Sequence, residues 1–223
     1  LAQVDVWFSG CMASLPNQIV CGRGCSGCCR GLFDITLLDG ALLAEGFAQL
    51  SETVRNDVLA KAAERLAGLE KLWPELAPPF TLNHRPEADW ERLMPDDDET
   101  PCPLLANDGS CLVYTHRPLT CRLHGLPHVD LSGAIMHDEW CTENFATTDP
   151  LIIPALRGDF RSIFTEEVQL GRQFTRHLLG EEVRELDTLI PLALLVDIQG
   201  FPWRYWWTGY RQLLPPGALP LPR

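Results

Sequence analysis

Nine cysteines in a chain of 223 residues are the side chains best suited to chemistry, and their spacing is uneven. Thiolates that are close in sequence can converge on one metal ion, and thiolates from a distant segment can complete its coordination. Eight of the nine fit this pattern, and Cys11 stands apart from them. The predicted metal ligands are Cys21, Cys25, Cys28 and Cys29, followed after a long gap by Cys102, Cys111, Cys121 and Cys141.

The number of metal sites and the identity of the metal remain open at this level. Eight thiolates could fill two four-thiolate sites, or they could hold one cluster and leave spare thiols. Side chains of neighbouring residues usually diverge, so one of Cys28 and Cys29 could serve a second site, bridge two irons or simply be buried. Zinc and iron–sulfur clusters both accept four thiolates. The surplus of thiols and the pair Cys102-Pro103 favour an iron–sulfur cluster, of the 4Fe–4S type, with zinc as the alternative.

The distribution of charge around the cysteines supports this interpretation. Two stretches, 21–33 and 109–129, contain no Asp or Glu although the chain as a whole is acidic. Cations beside a thiolate site lower thiol pKa values and offset the negative charge of the site. Because Gly125 and Pro127 interrupt any helix there, His124 and His128 are interpreted as neighbours of the metal or as surface groups. The residues predicted to surround the metal centre are Arg23, Arg117, Arg122 and His124.

Apolar periodicity predicts a mainly α fold, a single domain of helices packed around an irregular cysteine-rich metal-binding core. Residues 21–141 would form the metal-binding region, and 142–223 a helical C-terminal region. Asp39 is predicted to cap the second helix, and the stretch from Pro74 to Pro103 to form a long surface connection. The predicted helices cover residues 1–15, about 39–50, 54–73 ended by Pro74, 160–178 ended by Gly180, and 182–198.

Six aromatic residues lie in the ten positions from Phe201 to Tyr210. They could pack in the core or form a contact surface for a protein partner, and the sequence does not separate these two interpretations.

Composition excludes several classes of protein. The net charge of −12 argues against nucleic acid as a partner, because phosphate binding depends on Lys and Arg. No apolar stretch approaches the roughly 20 residues of a membrane-spanning helix, and the first 20 residues do not resemble a secretory signal. Clustered thiols in such a chain are typical of the reducing cytoplasm, where they bind metal more often than they form disulfides.

Three segments resemble the CxxCxxCC cysteine-cluster family, also called the YkgJ family, which is described as a zinc- or iron-chelating domain. They are Cys25-Ser-Gly-Cys-Cys29, Pro101-Cys-Pro-Leu-Leu105, and the block from Gly109 to Arg122 that contains Cys111, Tyr114, Arg117-Pro118 and Cys121-Arg122. The first spacing, from Cys21 to Cys25, departs from the family pattern. The resemblance implies metal chelation and makes iron–sulfur binding a feature to expect.

Two classes of function follow. The first is a metalloprotein with an iron–sulfur cluster and a redox, electron-transfer or metal-handling role, or with structural zinc in an interaction module. The second is a metal- or cluster-dependent enzyme, such as one that modifies proteins. The sequence has no phosphate-binding loop, nucleophile elbow or dinucleotide fingerprint, and it identifies no catalytic residue.

Overall fold

The computed structural model describes residues 1–22, 24–90, 92–95 and 97–214. Seven α-helices occur in this described part of the chain. They are α1 (Ala2–Ser14), α2 (Leu37–Ala48), α3 (Glu52–Leu72), α4 (Leu119–Leu123), α5 (Phe160–Leu179), α6 (Ile190–Ala193) and α7 (Trp203–Tyr210).

The described residues also form five short strands, so the fold is mixed α/β rather than purely helical. They are β1 (Asp34–Thr36), β2 (His128–Asp130), β3 (Ile135–His137), β4 (Arg157–Gly158) and β5 (Asp187–Leu189). Strands β1 and β5 pair antiparallel, with Ile35 opposite Thr188. In the second sheet β2 lies between β3, which is antiparallel to it, and β4, which is parallel to it. The prediction of a mainly helical chain is thus confirmed for the helices and incomplete for the sheets.

Local signals account for most helix boundaries. The Ser51 hydroxyl accepts a hydrogen bond from the Val54 amide at the start of α3, and α5 ends at Gly180 in the left-handed conformation. The prediction that Asp39 caps α2 was wrong, because Thr36 is the cap and accepts from the Asp39 amide. The Asp39 carboxylate instead accepts from the Leu119 amide and so connects α2 to the first turn of α4.

The predicted helix over residues 182–198 was also wrong in most of its length. Residues 187–189 form β5, and only Ile190–Ala193 are helical, with Pro191 in the first turn. Pairing with β1 competes with local helix propensity here, and the β-branched Thr188, which is fully buried, suits a strand.

The connection from Pro74 to Pro103 is irregular, as the prolines predicted, but it is only partly at the surface. Its apolar side chains enter the largest core cluster of the described residues, together with α3, α6 and α7. The buried side chains of the connection include Leu76, Phe80, Leu82, Trp90 and Leu93.

The helices pack mainly on aliphatic and aromatic side chains. The largest apolar cluster contains no cysteine. Cys102, Cys111 and Cys121 lie at the margin of a second cluster, which joins α2, α3 and α6. The expected packing of helices around a cysteine-rich core therefore needs correction: the thiols border the core, because the Gly- and Pro-rich loops that carry them supply few apolar side chains.

Five of the six C-terminal aromatic residues lie on α7, Phe201 precedes it, and three of the six are buried in the core. Trp203, Trp207 and Tyr210 are buried, whereas Tyr205 is 84% exposed. Among the described residues, no helix is both long enough and apolar enough to cross a membrane.

Candidate metal centre

Backbone pairing brings the two cysteine-containing loops together. The Cys102 amide donates to the Cys29 carbonyl at 2.9 Å, and the Gly31 amide donates to the Thr100 carbonyl at 2.9 Å. The loop from Cys102 to Cys111 is closed by an antiparallel bridge between Leu105 and Cys111. The long gap in sequence between the two sets of cysteines is therefore closed in space.

Four thiols form what we call the Cys29 group: Cys29, Cys102, Cys111 and Cys121. Burial raises the pKa of Cys121 to about 12, and the neighbouring thiols Cys102 and Cys111 add to this rise. Burial also raises the pKa of Cys102 to about 11. The same three thiols act on Cys29 and oppose the lowering of its pKa by a hydrogen bond from Cys28. The four side chains therefore share one electrostatic environment.

Four other thiols form the Cys21 group: Cys21, Cys25, Cys28 and Cys141. Burial raises the pKa of Cys21, a hydrogen bond with Asn144 lowers it, and the thiols of Cys25, Cys141 and Cys28 raise it further. The thiol of Cys25 is exposed, and the other three are partly buried.

Asn144 holds the Cys21 group to the rest of the fold. Its buried amide accepts from the Val20 amide at 2.9 Å and donates to the Gly125 carbonyl at 2.8 Å. The amide nitrogen also lies 3.4 Å from the Cys21 sulfur. No pattern in the sequence indicated this residue, because Val20 and Cys21 lie more than 120 positions away from it.

The adjacent cysteines Cys28 and Cys29 are the point where the two groups meet. The Cys28 thiol donates a hydrogen bond to Cys29, which lowers the pKa of Cys29 and raises that of Cys28. Cys28 also interacts electrostatically with both Cys21 and Cys121. Of the possibilities that the sequence left open for this pair, service to two neighbouring groups fits the arrangement best.

The donor set fits a thiophilic metal. All nine cysteines are free, and eight of them fall into the two groups. In the described ranges, no three Cys, His, Asp or Glu side chains are close enough to enclose a metal ion as they stand. Metal binding would therefore draw the thiols of a group closer and release their protons, as is usual for thiolate sites. Cys11 belongs to neither group, because it is buried in α1 with its thiol 3.5 Å from the Ala155 carbonyl.

Arg117 lies close to the thiols. Its charge lowers the pKa of Cys28, Cys111 and Cys121, against the larger effect of burial in the last two. The guanidinium carbon lies 3.7 Å from the centre of the Tyr114 ring. A cation in this position can offset the negative charge of bound thiolates, and this role of Arg117 stays a prediction.

Arg122 has a different environment. Its guanidinium donates to the carbonyls of Arg117 and Thr115, at 2.9 and 2.7 Å, and forms an ion pair with Asp5 of α1. Arg122 thus fixes the loop that leads into α4 and anchors that helix to α1. Its partner Asp5 lies on α1, 117 positions away in sequence, so the contact could not be foreseen.

The two other residues predicted around the metal have different outcomes. His124 lies against the ring of Phe33, with 5.4 Å between ring centres, and at the edge of a pocket. Burial and the nearby His137 lower its pKa. Arg23 lies outside the described residues.

A helical frame that carries eight free thiols beside two paired loops is the architecture expected of a cysteine-rich metal-chelating domain. The family model CxxCxxCC, "Putative zinc- or iron-chelating domain", matches residues 20–142, which is more than half of the chain. The chain therefore belongs to the CxxCxxCC family. No curated protein and no solved structure matches it.

Proposed function

We propose that the protein binds an iron–sulfur cluster through its clustered thiolates and uses it in a redox, electron-transfer or metal-handling role. The observation that carries the proposal is that the chain has eight free thiols on the cysteine segments, and that two of these segments are joined by the hydrogen bond from the Cys102 amide to the Cys29 carbonyl. The family supports zinc or iron as the metal. Eight thiols exceed the four that a structural zinc requires.

The residues that would hold the metal are the two groups as defined above. When bound, an iron–sulfur cluster supplies one-electron redox chemistry, with a potential set by net charge, hydrogen bonds and exposure. Arg117 would stabilise the anionic thiolates, because its charge already acts on three of them. The exposed Cys25 makes the Cys21 group the more accessible of the two to solvent and to a partner.

Zinc is the second candidate, and one observation favours it. Each group has the four thiols of a closed tetrahedral zinc site, which needs no further ligand. With zinc the centre would be structural, because zinc has no redox chemistry.

Metal analysis of protein purified under strict anaerobiosis tests the proposal. We expect a brown protein that contains iron and acid-labile sulfide in similar amounts and loses its colour in air. Stoichiometric zinc without sulfide would contradict the iron–sulfur proposal and leave a structural metal domain.

Two cysteine variants provide a matched pair for this measurement. Cys111→Ser should lose metal, because Cys111 belongs to the Cys29 group. Cys11→Ser should retain it, because Cys11 is buried in α1 against the Ala155 carbonyl. Equal metal contents in the two variants would show that the Cys29 group does not bind the metal.

A protein partner at the C-terminal aromatic segment belongs to the same proposal. The aromatic surface available to a partner is smaller than the sequence suggested, because Trp203, Trp207 and Tyr210 are buried. Tyr205 is the aromatic residue of α7 that is largely exposed. Residence in the cytoplasm also stays a prediction, as does the absence of nucleic acid from the partners.

A further inference from the structure

A pocket of about 440 Å³ lies beside both thiol groups. Its walls come from α4, α5, the end of β3 and the residues before β1, and none of the eight candidate ligands lines it. Thr120 connects it to the Cys29 group, since it precedes Cys121. Gly125 connects it to the Cys21 group, since a first side-chain carbon at Gly125 would lie 3.4 Å from the Cys21 sulfur. The volume is typical of small-molecule sites.

The charged groups that line this pocket are acidic. Among the residues that the structure describes, Glu167 of α5 and Glu139 lie in its wall, and no Lys or Arg does. Of the arginines on the two helices that flank the pocket, Arg122 of α4 pairs with Asp5, and Arg161 and Arg176 of α5 pair with Asp130 and Glu182. Arg172 of α5 does not line the pocket. In the described wall the carboxylates therefore have no Lys or Arg partner, and the basic groups there are the imidazoles of His124, His128 and His137.

Glu167 is the carboxylate with the strongest requirement for a partner. It is partly buried, and within the described chain it has no hydrogen bond and no ion pair. Burial raises its pKa to about 7, and the negative charges of Asp39 and Glu185 add to this rise. A positive charge beside it would relieve both effects.

The remaining lining is aromatic or neutral. Phe33, Trp140 and Phe164 contribute ring surfaces, which attract cations as well as apolar groups. His128 is buried, and burial lowers its pKa to about 4, so its ring is neutral at physiological pH. Because its Nε2 lies 3.3 Å from the Leu123 carbonyl and donates to it, Nδ1 is left as an acceptor.

The larger hollow of the described surface has a different character. It measures about 650 Å³ between α2, α3 and α6 and is lined mainly by Ala, Leu and Phe. Its one acidic residue, Asp197, already accepts hydrogen bonds from the amides of Gln199 and Gly200. A group that would select a charged ligand is therefore present in the smaller pocket and not in this hollow.

We infer that the pocket beside the two thiol groups binds a small organic cation, an amine attached to an apolar body, with Glu167 as the partner of the ammonium group. The apolar body would lie against Phe33, Trp140 and Phe164. The inference goes beyond the proposed function and does not depend on which metal the thiols hold, because no cysteine lines the pocket.

Three probes of similar shape and different charge test this inference on the metal-loaded protein as purified: 2-phenylethylammonium, 2-phenylethanol and phenylacetate. Affinities are measured by calorimetry or by ligand-observed NMR. We expect the ammonium probe to bind about tenfold more tightly than the alcohol, and the carboxylate to bind most weakly, since a charged hydrogen bond contributes roughly this much.

Glu167→Gln should reduce the affinity for the ammonium probe about tenfold and leave that for the alcohol unchanged. Glu166→Gln is the matched control, because this exposed neighbour on α5 does not line the pocket. Should Glu167→Gln not fold, Glu139→Gln at the exposed edge of the pocket is the second variant, with a smaller loss expected. Metal content is measured in each variant, so that failure of the metal proposal is recognised separately.

Equal binding of the three probes, no binding of the ammonium probe, or undiminished binding by folded Glu167→Gln protein would each overturn the inference.

Discussion

At the scale of the residue, two arginines in one motif have distinct roles. Arg122 is 5% exposed at its side chain, and backbone carbonyls and Asp5 take up its guanidinium. Arg117 acts on the thiols, since its charge lowers the pKa of Cys28, Cys111 and Cys121. Type and position in the sequence made the two residues equivalent. Both also pair with Asp5, Arg117 at 3.9 Å, and it is the effect of Arg117 on the candidate thiol ligands that distinguishes it.

This difference leads to a prediction for Arg117. Arg117→Gln removes the positive charge beside the thiolates, so we expect metal affinity to fall about tenfold, as is typical when a group that supports metal ligands is lost. Arg117→Lys should recover part of the loss, because it restores the charge. The measurement is a competition with a chromophoric chelator, and the control is Arg184→Gln, an exposed site outside both cysteine segments. Equal affinities in Arg117→Gln and the control would refute this role.

At the scale of the element, an ion pair holds the second cysteine loop to α3. Arg65 on α3 binds Asp98, and both side chains are largely buried. Asp98 also accepts from the Thr100 amide at 2.9 Å, and the Thr100 carbonyl accepts from the Gly31 amide at 2.9 Å. The chain leading to Cys102 is therefore fixed both to a long helix and to the first cysteine loop.

The Asp98 pair predicts a pH dependence of stability. The hydrogen bond from Arg65, with those from Thr100, lowers the pKa of Asp98 to about 2, below its unfolded value of about 3.9. A lowered pKa contributes stability that is fully present above the unfolded pKa and lost as pH falls from about 4 toward 2. Asp98→Asn should therefore lower the free energy of unfolding by about 2 kcal/mol at pH 7, by about half as much near pH 3, and by much less near pH 2.

Denaturant unfolding at several pH values measures this difference. Asp97→Asn is the control, because Asp97 is the exposed neighbour of Asp98 and forms no ion pair in the described structure. A difference between wild type and Asp98→Asn that does not change with pH would show that the ionised carboxylate is not the source of the stability.

The elements also show how far the sequence could predict the fold. Helices α1, α3 and α5 carry local signals, namely apolar periodicity, a capping serine before α3 and Gly180 after α5, and all three were predicted. Strand β5 was read as helix because its pairing with β1 joins residues more than 150 positions apart. The role of Asp39 in α2 was wrong for a related reason, since its carboxylate accepts from the distant Leu119 amide and Thr36 caps the helix.

In the candidate site, too, local features could be predicted from the sequence and contacts between distant segments could not. The eight thiols and their two nearby arginines were recognised from spacing and charge, which are local properties. The grouping of the thiols depends on the pairing of the chain at Cys29 with the chain at Cys102, and the sequence left it open. Asn144, Asp5 and the pocket around Glu167 depend on contacts between distant elements, so no pattern in the sequence indicated them.

At the scale of the whole molecule, the packing separates the thiol groups from the main core. The largest apolar cluster joins α3, α6, α7 and the connection after α3, and it contains no cysteine. Cys102, Cys111 and Cys121 border the second cluster, and Cys21 borders a smaller cluster at α1. Burial of apolar surface, which contributes about 25 cal/mol per Å², acts in the main core without help from a metal.

Removal of the metal should therefore loosen the cysteine loops and leave the helical frame folded. After anaerobic chelation we expect most of the helical circular dichroism to remain, because the main core keeps its contacts. Amide hydrogen exchange should accelerate at residues 20–31 and 100–112, where few apolar side chains replace the lost metal. Exchange in α3 and α5 should change little and is the internal control. Cooperative loss of the helical signal on chelation would contradict this separation and show that metal binding supplies folding energy to the entire chain.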